Sequence, residues 1–281
     1  MYLMLTFLLC LASAGGADAQ ASGALRAYDL AGPPSQRIAL PLELAEVSGL
    51  AYTSDGRLLA QADEAAVVYE IDPAHGRPVK RFGVGGASGP LLGDFEDMEV
   101  VGDRLFLVTS AGEVIEAREG ANGETKLPVR RHRGLGRTCE VEGMTWDEAS
   151  ASLLLLCKQT SGKRWKGQVV IVAFSPETGR FEPEPRITVA ESELERATGS
   201  KRFSGSAIAR HPRTGTYLMV AGPQRVFAEI DSTGKVLGGG KLSAERHRQP
   251  EGLAIAPDLT LFISDEAAGK TATISGYAYR R

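Results

Sequence analysis

The chain has 281 residues, of which 43% are hydrophobic and 24% are charged, and its formal net charge is −3 at pH 7. This is the composition of an ordinary globular protein. Because the charge balance is slightly acidic, the strong basic field that nucleic-acid binding needs is excluded, and nucleic acid is not expected as a partner.

The first 19 residues differ from the rest of the chain in composition. Residues 2–11 are almost wholly apolar, and small residues follow as far as Ala17-Asp18-Ala19. A short apolar region before an Ala-x-Ala site is typical of a secretory signal peptide, although no Lys or Arg precedes it here. We therefore predict cleavage after Ala19, a periplasmic or extracellular location, and a single mature domain over residues 20–281. An uncleaved anchor and a lipoprotein signal at Cys10 are the alternatives.

One short motif recurs five times along the rest of the chain: Glu or Ser, usually followed by Gly, at the start of an apolar strand. The copies occupy residues 47–51, 95–99, 141–145, 203–207 and 250–254. From Ser48 the successive motif positions are separated by 48, 46, 62 and 47 residues. A period of 40 to 50 residues indicates blades, solenoids or arrays.

Within each period, the elements that follow the motif are strands. A turn leads to a second apolar run, a third run comes after it, and a weaker fourth run closes the unit. Four strands per unit is the pattern of a β-propeller blade. The long third period also contains one predicted helix, over residues 191–197.

The two ends of the chain predict how the ring closes. Only 30 residues follow Glu251, too few for four strands, and residues 37–42 can supply the missing outer strand. We therefore predict an all-β protein, a propeller of about five four-stranded blades closed by an N-terminal strand. Six blades are possible if the segment before Ser48 forms more than one strand. Closure leaves few free strand edges, and we expect a monomer.

The motif residues are candidate site residues because the innermost strand of each blade lines the central channel. Ser48, Glu96, Glu142, Ser204 and Glu251 would converge there. Carboxylates in a narrow channel repel one another unless protons or a cation compensate, and hard oxygen ligands favour Ca²⁺ or Mg²⁺. We predict Ca²⁺ at Glu96, Glu142 and Glu251. The alternative is that these residues only accept hydrogen bonds from the neighbouring blade.

The ends of the second strands should open on the same face of the ring as the motif residues. Lys158 and Glu266 follow two of these strands, and Asp63 follows a third. Lys158 would suit an anionic or carbonyl group of a ligand, or would instead form a salt bridge with Glu142. Ser48, Lys158, Ser204 and Glu266 are therefore the predicted ligand contacts.

Two cysteines remain after the predicted cleavage. Cys139 and Cys157 flank an apparent hairpin, which places them near one another but not in simple register. A disulfide is permitted in an oxidising compartment, and two buried thiols are the alternative. The cysteine and histidine spacing does not suggest zinc.

Taken in order, the five motifs resemble those of the SdiA-regulated (YjiK-like) propeller family. They are similar, more distantly, to those of phytase-like and lactonase-like propellers. The resemblance implies an exported propeller with Ca²⁺ in its channel and no firmly assigned reaction, and Glu96, Glu142, Lys158 and Glu251 match its pattern. Phosphate ester hydrolysis is disfavoured, since the dense Asp, Lys and Arg set that it requires is missing.

Two function classes follow from these residues. The first is a binding protein that holds Ca²⁺ with a small polar ligand or a cell-envelope partner. The second is a Ca²⁺-dependent hydrolase of lactones or phosphoesters. No catalytic residue can be assigned, because residues 83–86 are not a P-loop and residues 203–206 are not a nucleophile elbow.

Overall fold

The computed structural model describes residues 23–135 and 138–280. The predicted signal peptide, its cleavage site and Cys10 lie outside these residues. No helix in the described ranges is long and apolar enough to cross a membrane.

The described chain begins with a short segment that runs along the ring before the first repeat. It holds a 3₁₀ turn at Ala24–Ala27, strand β1 at Gln36–Ala39 and a second 3₁₀ turn at Leu42–Leu44. The buried carboxylate of Glu229 accepts hydrogen bonds from the backbone N–H groups of Ala24 and Leu25, which ties the segment to the fourth repeat.

The first two repeats each form an antiparallel sheet whose strands are ordered from the inside outwards. Blade 1 consists of β2 (Val47–Tyr52), β3 (Leu58–Ala62), β4 (Val67–Ile71) and β5 (Pro78–Gly86), with β6 (Gly89–Pro90) beside β5. Blade 2 consists of β7 (Phe95–Val101), β8 (Arg104–Thr109), β9 (Val114–Arg118) and β11 (Arg130–His132). Between β9 and β11, β10 (Thr125–Lys126) pairs in parallel with β5 and so extends blade 1.

The remaining repeats follow the same plan. Blade 3 consists of β12 (Cys139–Asp147), β13 (Ser152–Thr160), β14 (Gln168–Ser175), β15 (Arg180–Phe181) and β16 (Ile187–Ala190). Blade 4 consists of β17 (Ala207–Arg210), β18 (Tyr217–Ala221), β19 (Val226–Ile230) and β20 (Val236–Lys241). Blade 5 consists of β21 (Pro250–Ile255), β22 (Leu261–Asp265), β23 (Thr273–Tyr277) and, as its outer strand, β1.

The innermost strands form a closed ring, in which β2, β7, β12, β17 and β21 each contact the next and β21 contacts β2. The structure is a five-bladed β-propeller. The predicted closure is confirmed, because β1 pairs antiparallel with β23 and places Ile38 opposite Ile274. From residue 23 onward, one strand and not a sixth blade precedes the first motif.

The core of the protein lies between neighbouring blades. Along a strand, successive side chains point to opposite faces of the sheet. Leu58 therefore packs into a cluster shared with blade 5, and Leu59 packs into a cluster shared with blade 2. Since both faces of each blade are covered, the second strands are continuous apolar runs. Burying one such side chain contributes about 1.5–3 kcal/mol.

The third period is longer than the others, and part of its additional length forms a helix, as the sequence predicted. Helix α1 spans Glu191–Thr198 and ends at Gly199, whose φ of 71° lies in the left-handed region that glycine adopts without strain. Leu194 is fully buried in the cluster between blades 3 and 4. The helix therefore covers the outer end of this cluster.

A disulfide joins Cys139 and Cys157 across β12 and β13, with their Cα atoms 5.4 Å apart. Cys139 pairs with Thr160 and Cys157 pairs with Val141, so the two cysteines are not direct partners in the ladder. The ladder is irregular around Val141, between the two cysteine pairs.

Candidate functional site

The recurrent motif corresponds to a β-bulge at the beginning of the innermost strand. In blades 1, 2, 3 and 5 the ladder skips one residue, and the skipped residues are Ser48, Glu96, Glu142 and Glu251. A bulge leaves its extra residue without a partner and re-aims the side chain. The motif in the sequence therefore marks a β-bulge. In each of four blades, this bulge re-aims one polar side chain.

The glycine after the bulge has a steric reason. A Cβ atom on Gly143 would lie 2.9 Å from the Cα atom of Ala207 in blade 4, and one on Gly252 would lie 3.0 Å from the carbonyl oxygen of Ser48 in blade 1. Glycine therefore lets neighbouring innermost strands approach closely around the axis.

The bulged residues line one cavity of about 230 Å³ at the mouth of the ring. We call it the acidic pocket. Its lining residues come from all five blades and are Ser48, Asp63, Asp94, Glu96, Glu140, Glu142, Lys158, Ser206, Gln249, Glu251 and Glu266. Among the described residues that line it, seven side chains are acidic and Lys158 alone is basic.

The structure brings together all but one of the predicted site residues. Ser48, Lys158, Glu266, Glu96, Glu142 and Glu251 all line the acidic pocket. The predicted Ser204 does not, and Ser206 occupies the equivalent position. Strand β17 begins at Ala207, and the N–H of Ser206 donates to the carbonyl of Val220. Ser204 instead exchanges hydrogen bonds with the side chain of Gln224.

Three residues of the acidic pocket escaped the sequence analysis. Asp94, Glu140 and Gln249 each stand two positions before a motif glutamate. Since residues i and i+2 of an extended chain share a face, a polar residue at this spacing was the signal that could have identified them. Gln249 also donates a hydrogen bond of 2.5 Å to Glu266, which joins two of the polypeptide segments around the pocket.

Lys158 forms an ion pair with Glu142. The Nζ atom lies 2.8 Å from Oε1 of Glu142, whose side chain is 7% exposed, while the Lys158 side chain is 33% exposed. Although burial opposes its charge, contact with Glu142 and the nearby Glu251 raises the pKa of Lys158. The salt bridge expected as one alternative is therefore present, and Lys158 remains open to the pocket.

Several carboxyl groups of the pocket resist ionisation. Burial, followed by the charges of Glu142 and Asp94, raises the pKa of Glu96 to about 9. Burial also raises the pKa of Glu142 to about 7, against the opposing effect of Lys158. Burial and the charge of Glu251 raise the pKa of Glu266 to about 7. Without a cation, the pocket therefore holds protons on some of its carboxyl groups near neutral pH.

These shifts predict that the metal-free protein loses stability as pH rises. Above pH 4.5 the unfolded glutamates release their protons, whereas folded Glu142 and Glu266 retain theirs up to about pH 7 and Glu96 up to about 9. Between its unfolded pKa and its folded pKa, each of these glutamates lowers the free energy of unfolding by at most about 1.4 kcal/mol per pH unit. The decrease is smaller for a group that water can reach. Melting temperatures in EDTA at pH 5.5, 7.0 and 8.5 should fall in that order.

The control for this measurement is Glu96→Gln, which cannot ionise. Because Glu142 and Glu266 have titrated by about pH 7, the fall in Tm between pH 7.5 and 9 should disappear in this variant. A melting temperature of the parent protein that is flat across this range would contradict the electrostatic description of the pocket.

The donor set of the pocket suits a hard cation in its chemistry. Its oxygen-rich lining contains no His or Cys among the described residues, and oxygen ligands are those that Ca²⁺ and Mg²⁺ prefer. Within the described ranges, however, no three acidic, His or Cys side chains form a ready-made metal cluster. Glu96, Glu142 and Glu251 would therefore have to rotate toward a cation to bind it together.

No family model matches the sequence, and no curated protein matches it. Among solved structures, the chain is similar to a glutaminyl cyclase from Myxococcus xanthus, with 14% identity, a TM-score of 0.58, and coverage of 89% of this chain and 99% of that one. It is also similar to the PQQ-bound aldose sugar dehydrogenase from Streptomyces coelicolor, with 13% identity, a TM-score of 0.51, and coverage of 88% and 99%. A luciferin-regenerating enzyme has 9% identity and a TM-score of 0.50, with coverage of 83% and 91%. These neighbours are propeller enzymes, and at such identities the likeness shows the fold alone.

Proposed function

We propose that this protein is an exported propeller whose acidic pocket binds Ca²⁺ together with a small polar ligand. The observation that carries the proposal is the charge of the pocket, in which seven acidic side chains from several blades face one lysine. A cation would offset the burial, and the weaker repulsion, that keep protons on Glu96 and Glu142. Glu96, Glu142 and Glu251 are the residues proposed to hold it.

The size of the pocket supports a second occupant. One water molecule takes about 30 Å³ of liquid volume, whereas the cavity measures about 230 Å³. The space left beside an ion would accept a small polar molecule. The proposed contacts to this molecule are Lys158, Ser48, Ser206 and Glu266. The partly exposed ammonium group of Lys158 would face an anionic or carbonyl oxygen of the ligand.

Two further features support export. The apolar N-terminal segment ends in an Ala-x-Ala sequence, and Cys139 and Cys157 form a disulfide of the kind that persists in oxidising compartments. As part of the same proposal, we group the chain with the SdiA-regulated (YjiK-like) propellers on the basis of its five motifs. A cell-envelope protein is then the alternative partner at the mouth of the pocket.

A second candidate function is a Ca²⁺-dependent hydrolase of lactones or phosphoesters. The observation that favours it is Glu142, whose pKa of about 7 is suited to a general base at neutral pH. Glu142 would accept a proton from the attacking water, and Lys158, 2.8 Å away, would stabilise the oxygen that gains negative charge. When bound, Ca²⁺ would polarise the scissile group.

The test is a melting and titration experiment on residues 20–281, first in EDTA and then with Ca²⁺ or Mg²⁺. A ligand at 100 times its Kd stabilises the native state by about 2.7 kcal/mol, which raises Tm by roughly 5–11 °C in a protein of this size. Calorimetry in two buffers of different ionisation enthalpy should also show protons released on binding, because metal ligands must lose their protons.

Glu96→Gln is the informative variant. Because folded Glu96 keeps at pH 7 a proton that the unfolded chain releases, glutamine, which is neutral in both states, should raise the Tm in EDTA while it weakens Ca²⁺ binding. Glu124→Gln, in the loop directly before β10 and outside the acidic pocket, is the matched control. If no metal raises Tm and none is retained on elemental analysis, the glutamates only join blades and the proposal fails. Hydrolysis of a lactone or phosphoester that is lost in Glu142→Gln, with the fold intact, would favour the second candidate.

A further inference from the structure

A second cavity lies on the propeller axis beyond the acidic pocket. It also measures about 230 Å³, and its wall comes mainly from the same five innermost strands, two to four residues after Ser48, Glu96, Glu142, Ser206 and Glu251, with Glu148 and Pro212 added from the turns that follow β12 and β17. We call it the distal cavity. It shares no lining residue with the acidic pocket. The two cavities therefore occupy successive levels of the ring.

Most residues that line the distal cavity are apolar, but Glu99, Thr145, Glu148 and Arg210 also line it, and its exposed surface is about as polar as it is apolar. Tyr52, Trp146, Val100 and Ile255 line it and are all partly exposed. Partly exposed aromatic rings around a concave opening are common in sites that bind apolar groups. This wall contrasts with the acidic pocket, where almost every lining residue is polar.

One carboxyl group in this wall has no cationic partner. Glu99 accepts the backbone N–H of Val100 at 3.0 Å and that of Trp146 at 2.8 Å, and none of the basic side chains described in the structure forms an ion pair with it. The hydroxyl of Thr145 is a third hydrogen-bond partner. An ionised carboxylate has about four acceptor positions, so Glu99 can accept one more hydrogen bond. Burial raises the pKa of Glu99 to about 7, and the group is therefore ionised in mildly alkaline solution.

The other charges of the cavity leave its net charge negative. The Nε atom of Arg210 lies 3.0 Å from Oδ1 of Asp147, so this cation is already neutralised. Glu148 adds an exposed carboxylate at the rim. An anion would find no free cation among these residues, and a divalent metal would find too few oxygen ligands, since Ca²⁺ takes six to eight.

We propose that the distal cavity binds a small organic amine, with its ammonium group hydrogen-bonded to Glu99 and its apolar body packed against Tyr52 and Trp146. A protonated amine satisfies the carboxylate, and a flat apolar body covers the exposed aromatic surface. Cations also bind favourably to the faces of Trp and Tyr rings. The acidic pocket and the distal cavity would then be separate sites for different ligands.

The test uses the protein's own fluorescence. The chain contains two tryptophans, and Trp165 lies outside the distal cavity, so Trp165→Phe leaves Trp146 as the reporter. The probes are 2-phenylethylamine, the neutral 3-phenylpropanol and the anionic phenylacetate, titrated at pH 8.5. We expect saturable quenching by the amine, with a Kd about tenfold to hundredfold lower than that of the alcohol, because hydrogen bonds to charged groups are the stronger ones.

Variants separate this site from the acidic pocket. Glu99→Gln should weaken amine binding at least tenfold, whereas Glu96→Gln and addition of EDTA should leave it within twofold. Because Glu99 also holds the backbone of Trp146, the melting temperature of each variant is measured alongside. Ile255→Lys is a second variant that tests the same site. A lysine at this partly exposed position would repel the amine and would leave the hydrogen bond between Glu99 and the backbone of Trp146 intact.

Two results would overturn the proposal. Equal affinity for the amine and the alcohol would show that Glu99 does not recognise charge. Absence of any saturable change with the folded Trp165→Phe protein would show that the cavity is only a water-filled end of the channel. Either result leaves the proposal for the acidic pocket intact, because the two sites share no lining residue.

Discussion

Asp97→Ala should lower the free energy of unfolding by about 2–6 kcal/mol. Asp97 is 1% exposed and follows the bulge of blade 2. Its Oδ2 atom accepts the N–H of Met144 in blade 3 at 2.7 Å, and its Oδ1 atom accepts the N–H of Met98 at 2.8 Å. Alanine would leave both buried N–H groups without a partner, at about 1–3 kcal/mol each. Urea unfolding at pH 7 measures the change.

Two controls accompany this variant. Asp97→Asn keeps one oxygen acceptor and should have an intermediate effect. Asp103→Ala removes a carboxyl group from the same blade that is 80% exposed and paired with the exposed Arg118, and exposed ion pairs contribute about 0–1 kcal/mol. If Asp97→Ala costs no more than Asp103→Ala, the joint between blades 2 and 3 does not depend on Asp97, and the neighbouring Glu99–Trp146 bond becomes the candidate.

Loss of the disulfide should cost about 3 kcal/mol. Cys139 and Cys157 are 18 residues apart, and cross-linking a loop of about this length constrains the unfolded chain by roughly that amount. In a protein of this size, the change corresponds to a fall in Tm of roughly 6–12 °C. Melting of Cys139→Ala/Cys157→Ala and of the parent protein with and without reductant tests this. Thiol titration of the unfolded protein reports whether the bond had formed.

The single variants provide the matched control for the disulfide. Either Cys139→Ala or Cys157→Ala alone breaks the bond, so each should cost nearly as much as the double variant. Reductant should then have no further effect on any of the three. Additive effects of the two single variants would mean that the cysteines act as separate buried side chains and not as a cross-link.

The disulfide also bears on the acidic pocket. Cys139 precedes Glu140 and Cys157 precedes Lys158, and both of these neighbours line the pocket. If the proposed Ca²⁺ site exists, the disulfide-free protein should bind the ion more weakly at a temperature where it is still folded. Calorimetry on the double variant measures this effect separately from the loss of stability.

Local signals in the sequence were sufficient for the blade plan. The second strands are apolar runs such as residues 153–156, bounded by turn residues, and their length and spacing predict strands without knowledge of what they contact. The helix after β16 and the outer strand from the N-terminus followed in the same way. Each of these features depends on a few consecutive residues or on counting residues between motifs.

The fourth blade shows where such local reasoning fails. Ser204 and Ser206 both precede β17 and both are serines, so the motif alone cannot distinguish them. The hydrogen bond from the N–H of Ser206 to Val220, and that from Gly222 to the Ser206 hydroxyl, decide the register. These bonds depend on how two strands pair across a turn, which no short stretch of sequence specifies.

The sequence by itself predicted about five blades, their four-stranded plan, the closure by β1 and the polar residue that opens four of the five innermost strands. Only the tertiary structure decided which side chains share a cavity and which of their protons are retained. A pKa depends on burial and on charges that reach a group from other parts of the fold. Glu96 experiences Glu142 and Glu251 from blades 3 and 5, and that proximity exists only once the ring has closed.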